Sequence, residues 1–131
     1  MTGKIFADSN VFIYIFSDMK KYKETALSIL DHNPIISTQV VNENVYACLK
    51  RLKLSKREAF QHGERILANC DVKSINVDTI RNAFSVSKKY GFSFWDSLII
   101  AAALENDCSI LYTQDLQHKQ KIENKLTIIN P

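Results

Sequence analysis

The segment that most constrains the fold runs from Lys4 to Phe16 and has two apolar stretches separated by Asp8-Ser9-Asn10. Ile5 to Ala7 is short and apolar, which is typical of a strand buried on both faces. The three polar residues favour a helix N-cap or a tight turn, and Val11 to Phe16 is apolar again. The sequence therefore predicts a strand that leads directly into a helix. Asp8 then lies at the carboxyl end of a sheet, where ligands bind in open α/β folds, although a carboxylate that only caps the helix gives the same pattern.

Length and composition indicate one ordinary globular domain. The chain has 131 residues, of which 46% are hydrophobic and 24% charged, a balance that excludes disorder and predicts one domain over residues 1–131. The apolar run that ends at Phe16 is too short to be a signal peptide or to span a membrane. Cys48, Cys70 and Cys108 are far apart in sequence and form no CxxC pair. We therefore expect free thiols in a reducing compartment, the cytoplasm.

Helical and extended patterns alternate along the rest of the chain. A capping-box pattern at Ser55 and Glu58 opens one helix, and Gly91 is well placed to end another. The predicted helices cover about 22–31, 38–52, 55–69, 78–90 and 94–104, and the predicted strands 34–37, 72–77, 109–113 and 127–129, with a polar segment at 117–124. This alternation predicts an α/β fold with a central, mainly parallel sheet flanked by helices.

Three acids stand where such a fold would bring them together. Asp8 and Asp115 each follow a predicted buried strand, so a parallel sheet would place both at the same edge. Asp96 lies in the first turn of the most apolar helix in the chain. Free N–H groups there favour a carboxylate by about 0.3–1 kcal/mol. A helix cap explains Asp96, but an acid that interrupts such an apolar segment also calls for a partner or a cation.

Glu43 is a fourth acid with a weaker signal. It lies about 160° around its helix from Val41 at roughly 100° per residue, so the main apolar stripe does not bury it. A solvated helix face is one interpretation. Tyr46 and Ala47 widen the apolar surface beside Glu43, so a site at the end of the sheet could still include it.

Carboxylates without neighbouring histidine or cysteine select hard cations, Mg²⁺ or Mn²⁺. Such ions bind a phosphate, activate a water and stabilise a leaving oxygen. The histidines form no ligand pattern and are predicted to lie on the surface; they are His32, His62 and His118. The net charge is +3, so if four acids gather at one site the rest of the molecule is more strongly positive, as suits an enzyme acting on a polyanion.

A basic stretch lies between two predicted helices. Five of its eight residues are cationic, and they are Lys50, Arg51, Lys53, Lys56 and Arg57. They could follow a nucleic-acid backbone, but a solvated helix end is an equally good interpretation.

The order of these motifs resembles that of a PIN-domain ribonuclease. They are the strand followed by Asp8-Ser9-Asn10, Ser37 followed by Glu43, Phe94-Trp95-Asp96 opening an alanine-rich helix, and Leu111-Tyr112-Thr113-Gln114-Asp115. The short length and the ending Ile128-Ile129-Asn130-Pro131 look most like the VapC-type toxins of bacterial toxin–antitoxin pairs.

The resemblance implies a Mg²⁺- or Mn²⁺-dependent endoribonuclease that acts on RNA, is inhibited by a small antitoxin and is often a homodimer. It implies acidic metal-site residues at Asp8, Glu43, Asp96 and Asp115, the last varying within the family. Asn10 and Thr113 would be supporting polar residues that hold the carboxylates or a water.

Two other functions fit parts of the pattern. A non-catalytic PIN-like module that binds RNA or protein would have the same fold without metal-dependent cleavage. A phosphatase that forms an aspartyl-phosphate also begins with a strand and an aspartate, but it needs a second aspartate where this chain has Asn10.

Overall fold

The computed structural model describes residues 3–131, so the first two residues of the predicted domain lie outside it. Its six strands form one sheet in the order β3-β2-β1-β4-β6-β5. All neighbouring strands are parallel except β5, which is antiparallel to β6. The strands are β1 Lys4–Ala7, β2 Ile35–Ser37, β3 Asp71–Lys73, β4 Cys108–Tyr112, β5 Lys121–Ile122 and β6 Leu126–Ile129. The predicted α/β fold with a mainly parallel sheet is confirmed.

Several helices begin or end at residues suited to those positions. They are α1 Ser9–Ile13, continued by a 3₁₀ turn at Tyr14–Phe16, then α2 Lys20–Asp31, α3 Thr38–Lys50, α4 Lys56–Asn69, α5 Val77–Tyr90 and α6 Phe94–Glu105. The capping box predicted at Ser55 and Glu58 is present at the start of α4. Gly91 ends α5 with φ of 79°, a left-handed conformation that costs glycine little.

The core lies between the sheet and the helices. Phe6 on β1, Ile36 on β2 and Leu111 on β4 are fully buried and belong to one apolar cluster. Every residue of α6 from Ser97 to Ala103 is buried, as its apolar sequence predicted. This packing fixes the start of α6, and with it Asp96, against the sheet.

The topology creates a switch point beside β1. The chain passes from β1 to β2 on one side, but β4 pairs with β1 on the other. Connections that leave in opposite directions open a crevice at the carboxyl ends of the two strands, which is where open α/β sheets bind ligands.

The structure differs from the sequence predictions in three places. The strand predicted at 72–77 is limited to Asp71–Lys73, because Asn76 caps α5 and Val77 opens it. The polar segment at 117–124 contains the short strand β5, which the sequence did not indicate. The surface position predicted for all three histidines is wrong for His62, which is 3% exposed. Within residues 3–131, no helix is long and apolar enough to cross a membrane.

Candidate active site

Asp8 lies at the end of β1 and caps α1, so the helix-cap interpretation is correct as far as it goes. Its Oδ1 accepts a hydrogen bond from the Ser9 amide at 2.6 Å, and its Oδ2 accepts one from Thr113 Oγ1 at 2.8 Å. The carboxylate is only 5% exposed. Burial raises the pKa of Asp8 to about 6 against the lowering effect of these two hydrogen bonds, and the negative charges of Asp115 and Asp96 contribute to the rise. A carboxylate that only capped the helix would not need to be buried beside two other acids.

Two polar side chains, Thr113 and Asn10, contact Asp115, and Thr113 also contacts Asp8. Thr113 Oγ1, which donates to Asp8, also accepts a hydrogen bond from the Asp115 amide at 3.2 Å. Asn10 Nδ2 donates to Asp115 Oδ2 at 3.3 Å. Thr113, which follows β4, therefore contacts both acids, and Asn10, in α1, contacts Asp115. These contacts follow from the pairing of β1 with β4.

Asp96 is not the residue that caps α6. Ser93 is the N-cap, and its Oγ accepts a hydrogen bond from the Asp96 amide at 3.1 Å. Asp96 is half-buried in the first turn. Burial raises its pKa, and the negative charge of Asp115 adds to the rise. A hydrogen bond from the Ser93 side chain acts against this rise in the pKa of Asp96. The N-cap interpretation of Asp96 is therefore wrong, because Ser93 holds that position.

Glu43 lies in the second turn of α3 and is half-buried rather than fully solvated. Burial raises its pKa, and the negative charges of Asp8 and Asp96 add to the rise. Its Oε1 is buried without a hydrogen-bond partner, as is Asn10 Oδ1. Glu43 therefore combines an unpartnered buried oxygen with the repulsion of two other carboxylates.

The four acids interact through their charges, but they do not form a closed ligand shell as they stand. Within residues 3–131, no three acidic, histidine or cysteine side chains meet closely enough to surround a metal ion. Likewise, none of the four carboxylates forms a salt bridge with a described lysine, arginine or histidine; the ion pairs found involve other acids.

Two open grooves border Glu43. One, of about 660 Å³, is lined by Tyr46 and Trp95, whose side chains are 64% and 63% exposed. The other, of about 500 Å³, joins Glu43 to Arg51. The other four cations of the basic stretch are exposed and do not line these grooves.

Sequence reasoning missed one buried polar pair near this site. Asn44 is fully buried and donates to the Ser9 carbonyl oxygen at 3.1 Å, and His62 Nε2 lies 3.0 Å from Asn44 Oδ1. A signal was available for Asn44, because it lies on the apolar stripe of α3 between Val41 and Cys48. A polar residue on such a stripe requires partners.

The fold and the site define a class: a parallel α/β protein with an acidic site at the carboxyl edge of its sheet, at the switch point between two central strands. The sequence profile of the PIN domain matches residues 5–123. The chain belongs to the PIN domain family. No curated protein sequence is similar enough to count as a match.

Solved structures with the same fold include toxin–antitoxin proteins. The DNA-bound VapBC complex of Salmonella typhimurium aligns with a TM-score of 0.72 at 15% identity, covering 98% of this chain and 97% of its own. A toxin–antitoxin complex from Klebsiella pneumoniae gives 0.71 at 18% identity, covering 97% and 96%. VapC20 of Mycobacterium tuberculosis, a toxin that cleaves the sarcin–ricin loop, gives 0.68 at 17% identity, covering 82% and 87%. At these identities the likeness establishes the fold.

Proposed function

We propose that this protein is a Mg²⁺- or Mn²⁺-dependent endoribonuclease, the toxin of a toxin–antitoxin pair. The observation that carries the proposal is the buried carboxylate of Asp8, with its pKa raised to about 6, beside the charges of Asp96 and Asp115. Burying a carboxylate among others is costly, and such a site is kept where a cation compensates the charge.

The donor chemistry fits a hard divalent cation. All four acidic side chains offer oxygen, and one of these atoms, Glu43 Oε1, has no hydrogen-bond partner and is available as an acceptor. Asp8 and Asp96 would be the main ligands, with Glu43 and Asp115 completing the site directly or through water. Bound there, Mg²⁺ or Mn²⁺ would polarise the phosphodiester and lower the pKa of an attacking water.

The residues around the acids have separate tasks in this proposal. Thr113 holds one oxygen of Asp8, and Asn10 holds Asp115, so both carboxylates keep fixed orientations. Glu43 is the carboxylate best suited to accept a proton from water, because its Oε1 is unpartnered and its pKa is raised. Arg51 lines a groove with Glu43 and would contact an RNA phosphate.

The partners of the proposed toxin are a small antitoxin and a second copy of the chain. Support for the antitoxin comes from the similar structures, which include the VapBC complex of Salmonella typhimurium and the toxin–antitoxin complex from Klebsiella pneumoniae. Exposed aromatic side chains, including Phe84 and Trp95, offer apolar surface for such contacts. Cys48 and Cys108 are buried free thiols, which supports a reducing compartment and hence the cytoplasm.

The second candidate is a non-catalytic PIN-like module that binds RNA or protein. The absence of a closed ligand shell within residues 3–131 favours it. The two functions are separated by whether the protein cleaves RNA in a metal-dependent way.

The test is cleavage of single-stranded or looped RNA by the purified protein with Mn²⁺, with Mg²⁺ and with EDTA. We expect cleavage with either metal and none with EDTA. Asp96→Asn should lose at least about 100-fold in rate, the scale of one lost electrostatic catalytic contact. Asp18→Asn is the matched control, because it removes the same charge from an exposed position. Equal rates for wild type and Asp96→Asn would remove Asp96 from the site, and no cleavage by wild type would favour the binding module.

A further inference from the structure

We propose that Asn44 and His62 are positioning residues that hold the Asp8-Ser9-Asn10 turn in place from behind the acidic site. The inference rests on the proposed function for its catalytic consequence. Its structural part stands on hydrogen bonds between buried groups of three separate helices.

The orientation of Asn44 is determined by its neighbours. Its side-chain nitrogen Nδ2 lies 3.1 Å from the Ser9 carbonyl oxygen and 3.0 Å from the Val40 carbonyl oxygen. Two acceptors require the NH₂ group on that side, so Oδ1 must face His62. Asn44 is fully buried, and both polar atoms of its side chain have hydrogen-bond partners.

The protonation of His62 follows from that orientation. Because Asn44 Oδ1 is an acceptor, His62 Nε2 must carry the hydrogen in this 3.0 Å contact. The other ring nitrogen, Nδ1, is buried without a partner, so the ring is the neutral Nε2–H tautomer. Burial lowers the pKa of His62, and the positive charge of Arg65 adds to the effect, which agrees with a neutral ring. The Phe16 ring packs edge-on against the imidazole at 4.8 Å between centroids.

The hydrogen bonds from His62 to Asn44 and from Asn44 to Ser9 lead to the residues of the site. The carbonyl oxygen of Ser9 accepts a hydrogen bond from Asn44, and Ser9 lies between Asp8 and Asn10 in the chain. Asn10 in turn donates a hydrogen bond to Asp115. Displacing the Ser9 peptide would therefore move Asp8 and Asn10 together. Groups that orient metal ligands from the outer shell typically affect metal affinity or activity by about 10- to 100-fold.

Four variants test this role. Asn44→Leu and His62→Leu remove the hydrogen bonds while keeping similar volume. His62→Gln keeps an N–H donor near the position of Nε2. Ile66→Val is the control, because Ile66 is buried one turn further along α4 and belongs only to the apolar core.

The first measurement is amide hydrogen exchange of the metal-free protein at Val11, whose N–H donates to the Asp8 carbonyl oxygen at 3.2 Å. Exchange should be about tenfold faster in the two leucine variants, the change expected in a local opening equilibrium when one or two supporting hydrogen bonds are lost. It should stay near wild type in His62→Gln and Ile66→Val. If Val11 exchange in the leucine variants matches that of Ile66→Val at equal global stability, the proposal is overturned.

The second measurement is Mn²⁺ affinity by calorimetry, together with kcat and KM for RNA. The leucine variants should lose about 10- to 100-fold in Mn²⁺ affinity or kcat with KM nearly unchanged, and His62→Gln should restore most of the loss. Unchanged affinity and kcat in both leucine variants would also overturn the positioning role. If wild type neither binds Mn²⁺ nor cleaves RNA, the proposed function fails, while Val11 exchange still decides whether the pair holds the turn.

Discussion

The charge of Asp8 should destabilise the metal-free protein at neutral pH, so neutralising it should make the fold more stable. Burial raises the pKa of Asp8 from 3.8 to about 6. An acid whose pKa is higher in the folded than in the unfolded state binds protons more readily when folded. Well below pH 4 both states are protonated and folding carries no penalty. As the pH rises through 6 the full penalty develops, and above it the penalty is constant.

The size of this destabilisation follows from the shift in the pKa of Asp8. At about 1.4 kcal/mol per pKa unit, the rise from 3.8 to about 6 corresponds to about 3 kcal/mol at pH 8. Asp8→Asn removes this penalty but weakens the contact with Thr113, because the amide nitrogen cannot accept its hydrogen bond. That loss costs about 1 kcal/mol. The net gain is about 2 kcal/mol, or about 8 °C in Tm for a chain of this size.

The assay is a series of thermal melts in EDTA between pH 4 and pH 8. Asp8→Asn should melt about 8 °C above wild type at pH 8 and about 2 °C below it at pH 4, where the lost hydrogen bond outweighs the part of the charge penalty that remains. Asp18→Asn, at an exposed position, should follow wild type throughout. Adding Mn²⁺ at about 100 times its dissociation constant should stabilise wild type by roughly 2.7 kcal/mol and the variant much less.

This reasoning predicts that Asp8→Asn melts below wild type at pH 4 and above it at pH 8. It is refuted if the order of the two melting temperatures does not change with pH. If Asp8→Asn melts below wild type at pH 8 in EDTA, the carboxylate contributes more as a cap than its charge costs. If Mn²⁺ stabilises both proteins equally, Asp8 does not bind the ion.

Three further predictions concern toxicity, substrate binding and the fold. Expression of wild type without its antitoxin should slow bacterial growth, whereas Asp8→Ala should not; harmless wild type at high expression would count against a toxin. Arg51→Ala should raise KM for RNA and make binding less dependent on salt, with kcat unchanged, because it removes one phosphate contact; an unchanged KM would assign Arg51 to the solvated surface. Gly91→Ala should lower Tm by about 4 °C, because φ of 79° costs an alanine about 1 kcal/mol. Space is available there for the added Cβ, so an unchanged Tm would mean that the turn relaxes.

Local sequence determined the elements and many of their ends. Asp8 was recognisable as the residue between a strand and a helix, and the capping box of Ser55 and Glu58 marked the start of α4. These signals were readable because caps and turns depend on residues within about four positions of one another. The strand β5 was missed because two residues carry no periodic pattern.

The site itself was determined by tertiary structure. Thr113 contacts Asp8 across 105 positions of sequence only because β4 pairs with β1, and no local pattern specifies that strand order. Burial, which raises the pKa of Asp8, likewise depends on the packing of distant elements.

His62 shows the same division between local sequence and tertiary structure. Sequence predicted a surface histidine, because the three histidines lie far apart in the chain and form no ligand pattern. The structure buries it because Asn44, on another helix, supplies an acceptor for its hydrogen. A polar side chain is buried in a core only where it has a hydrogen-bond partner, and the tertiary structure determines which residues become partners.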